Sequence, residues 1–249
     1  MNASKKLSGQ NALVTGGSRS IGAAIARRFA TEGANVAFTY HTSPAKADEV
    51  VKAIEAQGTK GLAIKADAAD PVAVRDAVTK TVETFGGIDI LVNNAGALAI
   101  APIEQFSLED FDKMIAINVR GLFVATQEAA RHMREGGRII HIGSCNSDRI
   151  PFPQGSVYAL TKGAVAAFTK GLARDLGPRG ITVNNVQPGP VDTDMNPASG
   201  DFADLNRSFM ALKRYGHTDK IASFVTYLAG PESGFITGAS LLIDGGYSA

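Results

Sequence analysis

Tyr158 and Lys162, in the stretch SVYALTKGAV, stand four residues apart, the spacing that puts two side chains on one face of a helix. A phenol and an ammonium so placed form a proton-transfer pair. The positive charge favours the phenolate and is expected to draw the tyrosine pKa from about 10 towards neutrality, so that the hydroxyl can exchange a proton during turnover. Taken alone, such a pair is more often a solvated helix face, so its meaning depends on what else converges on it. Ser144 lies 14 residues earlier, at the end of the apolar segment RIIHIGS, and a loop of that length can bring its hydroxyl to the phenol. Asn118 falls in AINVRG, among Ile115, Ile117 and Val119. A carboxamide in that company costs stability unless it is paired, so it is either a satisfied core amide or a site residue.

A second constellation lies in TGGSRSIGAAIARRF, from Thr15, where glycines run from a strand-like segment into a helix-like one. Gly16, Gly17 and Gly22 do not fit the G-x-G-x-x-G fingerprint, and taken alone they are also consistent with a structural tight turn. A helix that starts at such a turn points unpaired N–H groups and the positive end of its dipole at a phosphate. Gly16 is expected to take a positive φ, and Gly22 to let helix and strand pack closely; Ser18, Arg19, Ser20 and Ile21 complete the turn. Arg19 suits an extra phosphate on an adenine ribose. An acid at the end of the second strand would bind a free ribose 2′-hydroxyl and repel a 2′-phosphate, but that end reads TYHTS. Tyr40, His41 and Ser43 offer neutral or protonatable donors there, so NADP(H) is favoured over NAD(H). For His41 by itself, a solvated loop position is an equal alternative.

Both constellations need a scaffold that brings them to one edge. Short apolar runs begin at Ala12, Asn35, Gly61, Asp89, Arg138, Ile181 and Ser240, with the two-sided apolar, β-branched character of buried parallel strands. Helical patterns separate them. One carries Ile21, Ile25 and Phe29 and ends at Gly33; two others open on Pro44 and Pro71 and stop by Gly58 and at Gly86–Gly87. A fourth is capped at Ser107 with Asp110 three residues on and runs towards Met133. A fifth covers Ser156 to Leu176, with Leu160, Ala164, Phe168, Leu172 and Leu176 as its apolar stripe on the side away from Tyr158. A last one covers Thr218 to Ala229. Strand–helix alternation through the whole chain predicts a single-domain, Rossmann-like doubly wound α/β fold over residues 1–249, a seven-stranded parallel sheet with helices on both faces. The stretch from Pro190 to Gly216 is too long for an ordinary connection. Phe202, Leu205, Phe209 and Leu212 recur there at helical spacing, which predicts a flexible amphipathic flap or, alternatively, a surface excursion covering core.

Bulk composition narrows the function classes. The 249 residues include 25 basic and 24 acidic side chains, a net charge of +1, and no basic run stands out, so neither nucleic acid nor an anionic membrane has electrostatic support as a partner. Cys145 is the single cysteine, which rules out an intrachain disulfide and agrees with a reducing compartment. MNASKKLSGQ carries no apolar stretch behind its lysines, and no run approaches the roughly 20 apolar residues of a spanning helix. A cytoplasmic protein is expected.

In this order the motifs resemble the classical short-chain dehydrogenases/reductases along nearly the whole chain: TGGSRSIG, Asp67 in KADAAD, NNAG from Asn93, Asn118, Ser144, Tyr158 with Lys162, QPGPVDTDM from Gln187, and TGASLLIDGG near the end. The branch it is most similar to contains 3-oxoacyl-carrier-protein reductases and broad-range carbonyl reductases. The resemblance implies metal-free hydride transfer between NADP(H) and a carbonyl or secondary alcohol. It implies that Tyr158 protonates the nascent alkoxide, Lys162 lowers the tyrosine pKa and binds the nicotinamide ribose, Ser144 holds the substrate oxygen, and Asn118 holds a water linking Lys162 to solvent. It places Asp67 and Ala68 at the adenine, Asn94, Ala95, Gly96, Pro188 and Gly189 along the cofactor cleft, and Val191 and Thr193 at the carboxamide. It further implies a homo-oligomer, most often a tetramer, to which the Leu160 stripe belongs either as interface or as ordinary core. The chain departs from the family at Ser20, where a third glycine is usual, and at Cys145 beside Ser144; His141 with Cys145 makes too few ligands for a metal site. Met195, Phe202 and Phe209, with Leu98, Ile100 and Phe152, suggest an apolar substrate pocket. A nucleotide-sensing or ligand-sequestering protein on the same fold is the alternative.

Overall fold

Segments that are apolar on both faces lie at the centre of the molecule, and the side chains along each strand divide between two cores. A computed structural model describes residues 5–249; the first four residues of MNASKKLSGQ lie outside it. The strands are β1 (Asn11–Val14), β2 (Asn35–Tyr40), β3 (Gly61–Lys65), β4 (Ile90–Asn93), β5 (Arg138–Ile142), β6 (Thr182–Pro188) and β7 (Ser240–Ile243), paired in parallel in the order β3-β2-β1-β4-β5-β6-β7. Successive residues face opposite sides. Ala12 and Val14 join one core with residues of α1 (Ser20–Thr31), α2 (Pro44–Glu55) and α8 (Thr218–Ala229). Leu13 joins the other, with residues of α3 (Pro71–Phe85), α5 (Leu122–His132) and α6 (Ser156–Leu176). The crossovers reverse direction between β1 and β4, and in such sheets a ligand cleft opens at the carboxyl ends of the strands there.

Three expectations need correction. The helix expected from Ser107 towards Met133 is instead α4 (Leu108–Ile115), a π-helical turn over Ala116–Gly121, and α5. One extra residue per turn swings the following side chains by about 100°, so a period of 3.6 cannot reveal it. In this wide turn, Asn118 is buried and Gly121 packs so closely that a Cβ would lie 2.2 Å from the Ala68 carbonyl oxygen.

The apolar stripe assigned to α6 is also displaced. The helix buries Val157, Thr161, Lys162, Val165, Thr169, Ala173 and Leu176, while Leu160 is 53% exposed. The face carrying Lys162 therefore packs inward, because the buried polar groups of that face find partners there. Thr161 and Thr169 donate their hydroxyls to the carbonyls of Tyr158 and Val165.

The flap contains α7 (Asp201–Phe209), and its seat is not the stripe read from the spacing. Ala203 and Asn206, with Met210 just beyond the helix, are buried, whereas Phe202, Leu205 and Leu212 are 45%, 45% and 58% exposed. Asn206 anchors this face by donating to the Tyr215 hydroxyl at 3.0 Å, a polar contact that an apolar pattern does not register.

Candidate active site

Hydrogen bonds from three strand ends build the glycine turn. The Thr39 hydroxyl at the end of β2 accepts from the Gly16 amide at 2.9 Å, and the Gly17 amide bonds the Thr39 carbonyl. Just beyond β4, the Asn94 carboxamide donates to the carbonyls of Thr15 and Gly16, both at 3.0 Å, while the Thr15 hydroxyl accepts from the Asn94 and Ala95 amides. Gly16 has φ +66°. A Cβ at Gly22 would sit 2.3 Å from the Gly16 oxygen, so helix and turn touch backbone to backbone. The first amides of α1 face the cleft without intrahelical partners, and a phosphate can approach them closely.

Ser20 stands in the left-handed region, with φ +49°. It keeps a glycine-like backbone, and its hydroxyl lies 3.3 Å from the Asp194 amide, which donates to it. An L-residue in this conformation is strained by roughly 1–2 kcal/mol. Glycine at position 20 is therefore expected to give an unfolding free energy about 1 kcal/mol above alanine at the same position, the reverse of the order inside a helix. Urea unfolding of Ser20→Gly and Ser20→Ala decides it, and an alanine variant as stable as the glycine variant would contradict the strain.

The turn opens into one cleft of about 440 Å³ along the carboxyl edge of the sheet. Its glycine-turn end is lined by Ser18, Arg19, Ser20, Tyr40, His41 and Ser43, with Asp67 and Ala68 opposite. Asp67 closes its own loop by accepting from the Ala69 amide at 2.9 Å and lies 3.9 Å from His41 Nε2. The middle is lined by Ile21, Gly22, Asn94, Ala95 and Gly96, and the far wall by Pro188, Gly189, Val191 and Thr193. Ser144, Tyr158 and Lys162 close the other end. A tight glycine turn with free amides and a guanidinium beside it fits a dinucleotide bearing a 2′-phosphate.

The residues assigned to catalysis and cofactor binding all line this cleft except Asn118, which lies behind its wall. The Asn118 Oδ1 accepts from the Ala97 amide at 2.8 Å, and its Nδ2 donates to the Ala97 carbonyl at 2.9 Å and to the Thr161 hydroxyl at 3.1 Å. Its carboxamide clamps the loop after β4 to α6. Both donors are committed, so the side chain itself offers no donor to a relay water.

Tyr158 departs from the expected electrostatics. Burial pushes its pKa up to about 12, although hydrogen bonding from the Ser144 side chain favours the phenolate. Lys162 is buried, and burial brings its pKa down to about 8. Its Nζ donates to the Ile142 carbonyl at 2.9 Å and lies 5.7 Å from the centre of the Tyr158 ring. Loss of hydration therefore dominates the pair. Burial also raises the Cys145 thiol to about 12. His141 is fully buried, its Nδ1 lies 3.1 Å from the Asn93 carboxamide, and burial lowers its pKa to about 3.

Beyond the tyrosine, the cleft is lined by Leu98, Ile100, Phe152, Met195 and Phe202; the rings of Phe152 and Phe202 meet edge to face at 5.8 Å. Phe209 is not part of this lining. It packs edge to face on Tyr247, 6.0 Å between centroids, in a small core with Cys145 and Met210. Sequence reasoning missed Asn146, Asn206 and Tyr247, which line the cleft. Tyr247 arrives because Gly245 and Gly246, with φ +64° and +75°, turn the C-terminal tail back over the site. The paired glycines were its one visible signal.

The sequence matches the family described as Enoyl-(Acyl carrier protein) reductase over residues 16–248. A short-chain dehydrogenase/reductase from Serratia marcescens shares 59% identity and superposes with a TM-score of 0.97, covering 98% of this chain and 100% of its own. A short-chain dehydrogenase from Burkholderia cenocepacia, solved in complex with NADP, shares 55% identity at a TM-score of 0.97 with the same coverages. The cyclic-di-GMP-binding biofilm dispersal mediator protein of Escherichia coli is 48% identical over 241 residues, 97% of this chain and 98% of that protein.

Proposed function

The chain belongs to the short-chain dehydrogenase/reductase family, and on that premise we propose that it is an NADPH-dependent reductase of ketones or 3-oxoacyl-type substrates, reversible towards secondary alcohols. The observation that carries this reading is the meeting of Ser144, Tyr158 and Lys162 at one end of the cleft whose other end holds the glycine turn and Arg19. NADPH supplies the hydride when bound. Ser144 orients the carbonyl oxygen, and Tyr158, a phenol at neutral pH, gives it a proton. Lys162 binds the nicotinamide ribose and reprotonates the tyrosine, and the clamp at Asn118 fixes the loop that backs both. Holding donor, acceptor and proton source in one geometry supplies what hydride transfer requires. The substrate end carries no cationic side chain besides Lys162 among the described residues, which supports an uncharged apolar group beside the reacting carbonyl.

A second reading, nucleotide sensing, draws support from the Escherichia coli relative, whose name records cyclic-di-GMP binding. The permanent exposed cation of the cleft wall is Arg19, so an anionic dinucleotide would occupy the end that takes the cofactor, and the two would compete. Following NADPH oxidation across a panel of ketones, aldehydes and 3-oxoacyl thioesters separates the readings. Turnover of at least one carbonyl is expected. Inertness across the panel, with cyclic-di-GMP binding that NADPH displaces, would establish the second reading in its place.

A further inference from the structure

Arg19 and Lys46, two cations at the glycine-turn end, are arranged around a single carboxylate atom. Asp194 sits in the turn closed by the Thr193–Asn196 bridge, on the flap side of the cleft. Its Oδ2 lies 3.6 Å from Arg19 Nη1 and 3.4 Å from Lys46 Nζ. The same residue donates its backbone amide to the Ser20 hydroxyl. Two cations from different elements, the glycine turn and α2, thus converge on one carboxylate oxygen.

Lys46 breaks a local rule. It stands in the first turn of α2, where the helix dipole disfavours a cation, and that turn holds no acid. Ser43 caps the helix without a side-chain bond to it, which leaves its hydroxyl and the leading amides of α2 for another anion. A lysine at this position is unfavourable for the helix on its own and gains only from a negative charge close to its ammonium.

Resting on the NADP(H) reading above, we infer that Lys46 is the second cation of the adenosine 2′-phosphate site, and that Asp194 is an internal anion occupying that site until the cofactor displaces it. A phosphate monoester carries about two negative charges where the carboxylate carries one. It therefore wins Arg19 and Lys46 from Asp194, and the turn at 193–196 loses its tie to α2. Binding of the phosphorylated cofactor is in this way coupled to release of the segment that leads into the flap. The coupling is selective, because a cofactor without the 2′-phosphate leaves Asp194 in place.

The test is equilibrium binding of NADPH and NADH by fluorescence, with adenosine 2′,5′-bisphosphate and 5′-AMP as fragments that lack the nicotinamide. Lys46→Met is expected to weaken NADPH and the bisphosphate by about three- to tenfold and to leave NADH and 5′-AMP unchanged, with Lys46→Arg restoring the difference. Asp194→Asn, which keeps the backbone bond to Ser20, is expected to tighten NADPH by about two- to fivefold, an effect that shrinks as salt is raised. Equal changes for the phosphorylated and unphosphorylated ligands would reduce Lys46 to a solvated helix residue, and unchanged or weaker NADPH binding by Asp194→Asn would remove the competing-anion role. Both are failures of this inference alone, since wild-type preference for NADPH would stand. A wild-type chain that binds NADH as tightly as NADPH overturns the cofactor reading itself, and the inference with it.

Discussion

Replacing Tyr158 by phenylalanine is expected to lower the rate of NADPH-dependent carbonyl reduction by about 10²- to 10⁴-fold, the range a positioned general acid contributes, while NADPH binding stays close to wild type. The substitution removes one oxygen and keeps the ring beside Lys162 Nζ. The nicotinamide-ribose contact assigned to the lysine is therefore preserved, and the loss falls on kcat rather than on cofactor affinity. Rates and NADPH affinity measured side by side on Tyr158→Phe give the answer, and near wild-type turnover would remove the tyrosine from the chemistry. The pH dependence has a definite sign. With its pKa pushed up to about 12 by burial, Tyr158 is protonated throughout the neutral range and is ready to donate. Reduction is accordingly sustained at pH 6–8, whereas alcohol oxidation, which needs the phenolate, rises with pH across the same range.

Strand ends were the most legible part of the molecule. In parallel strands buried on both faces, the apolar run stops where the chain leaves the sheet, so Thr15, Thr39, Asn94, Ser144 and Pro188 are marked as edge residues by a change of composition alone. Once the order of elements implied a doubly wound sheet, those ends had to share one edge. What the sequence could not display was phase and long-range return. The local pattern around Asn118 fits a core amide and a site residue equally, and only the family resemblance makes it the holder of a relay water. The structure gives it an amide role at the site wall, within a π turn that no 3.6-residue count contains. Tyr247 reaches the cleft from the last turn of the chain, and Asp194 meets Lys46 from 148 positions away. Those contacts depend on packing of the whole chain, which spacing within a window does not encode. The electrostatic error at Tyr158 has the same origin, since the sign of a pKa shift is set by how much water the fold excludes.

That exclusion of water leads to the other large expected effect. Lys162→Met is expected to abolish turnover as thoroughly as Tyr158→Phe and yet leave the fold at least as stable as wild type at pH 7. Lys162 is 6% exposed, and burial lowers its pKa from 10.5 to about 8, a shift that corresponds to roughly 3 kcal/mol of unfavourable burial of the charge. Methionine has nearly the same length and carries no charge to desolvate. It leaves the Ile142 carbonyl without its partner, at a cost of about 1–3 kcal/mol, so the net change in unfolding free energy lies between about zero and +2 kcal/mol. The pH dependence follows from proton linkage. Between pH 8 and 10.5 the unfolded chain holds a proton on Lys162 that the folded chain has lost, so wild-type stability gains on the variant as pH rises through that window. Below pH 8 both states are protonated and the full penalty is present. Denaturant unfolding of the two proteins at pH 7 and pH 10 should thus show the advantage of Lys162→Met shrinking or reversing. A variant clearly less stable than wild type at pH 7, with a difference that does not change with pH, would mean that the lysine is held for structure rather than retained against stability for its chemistry.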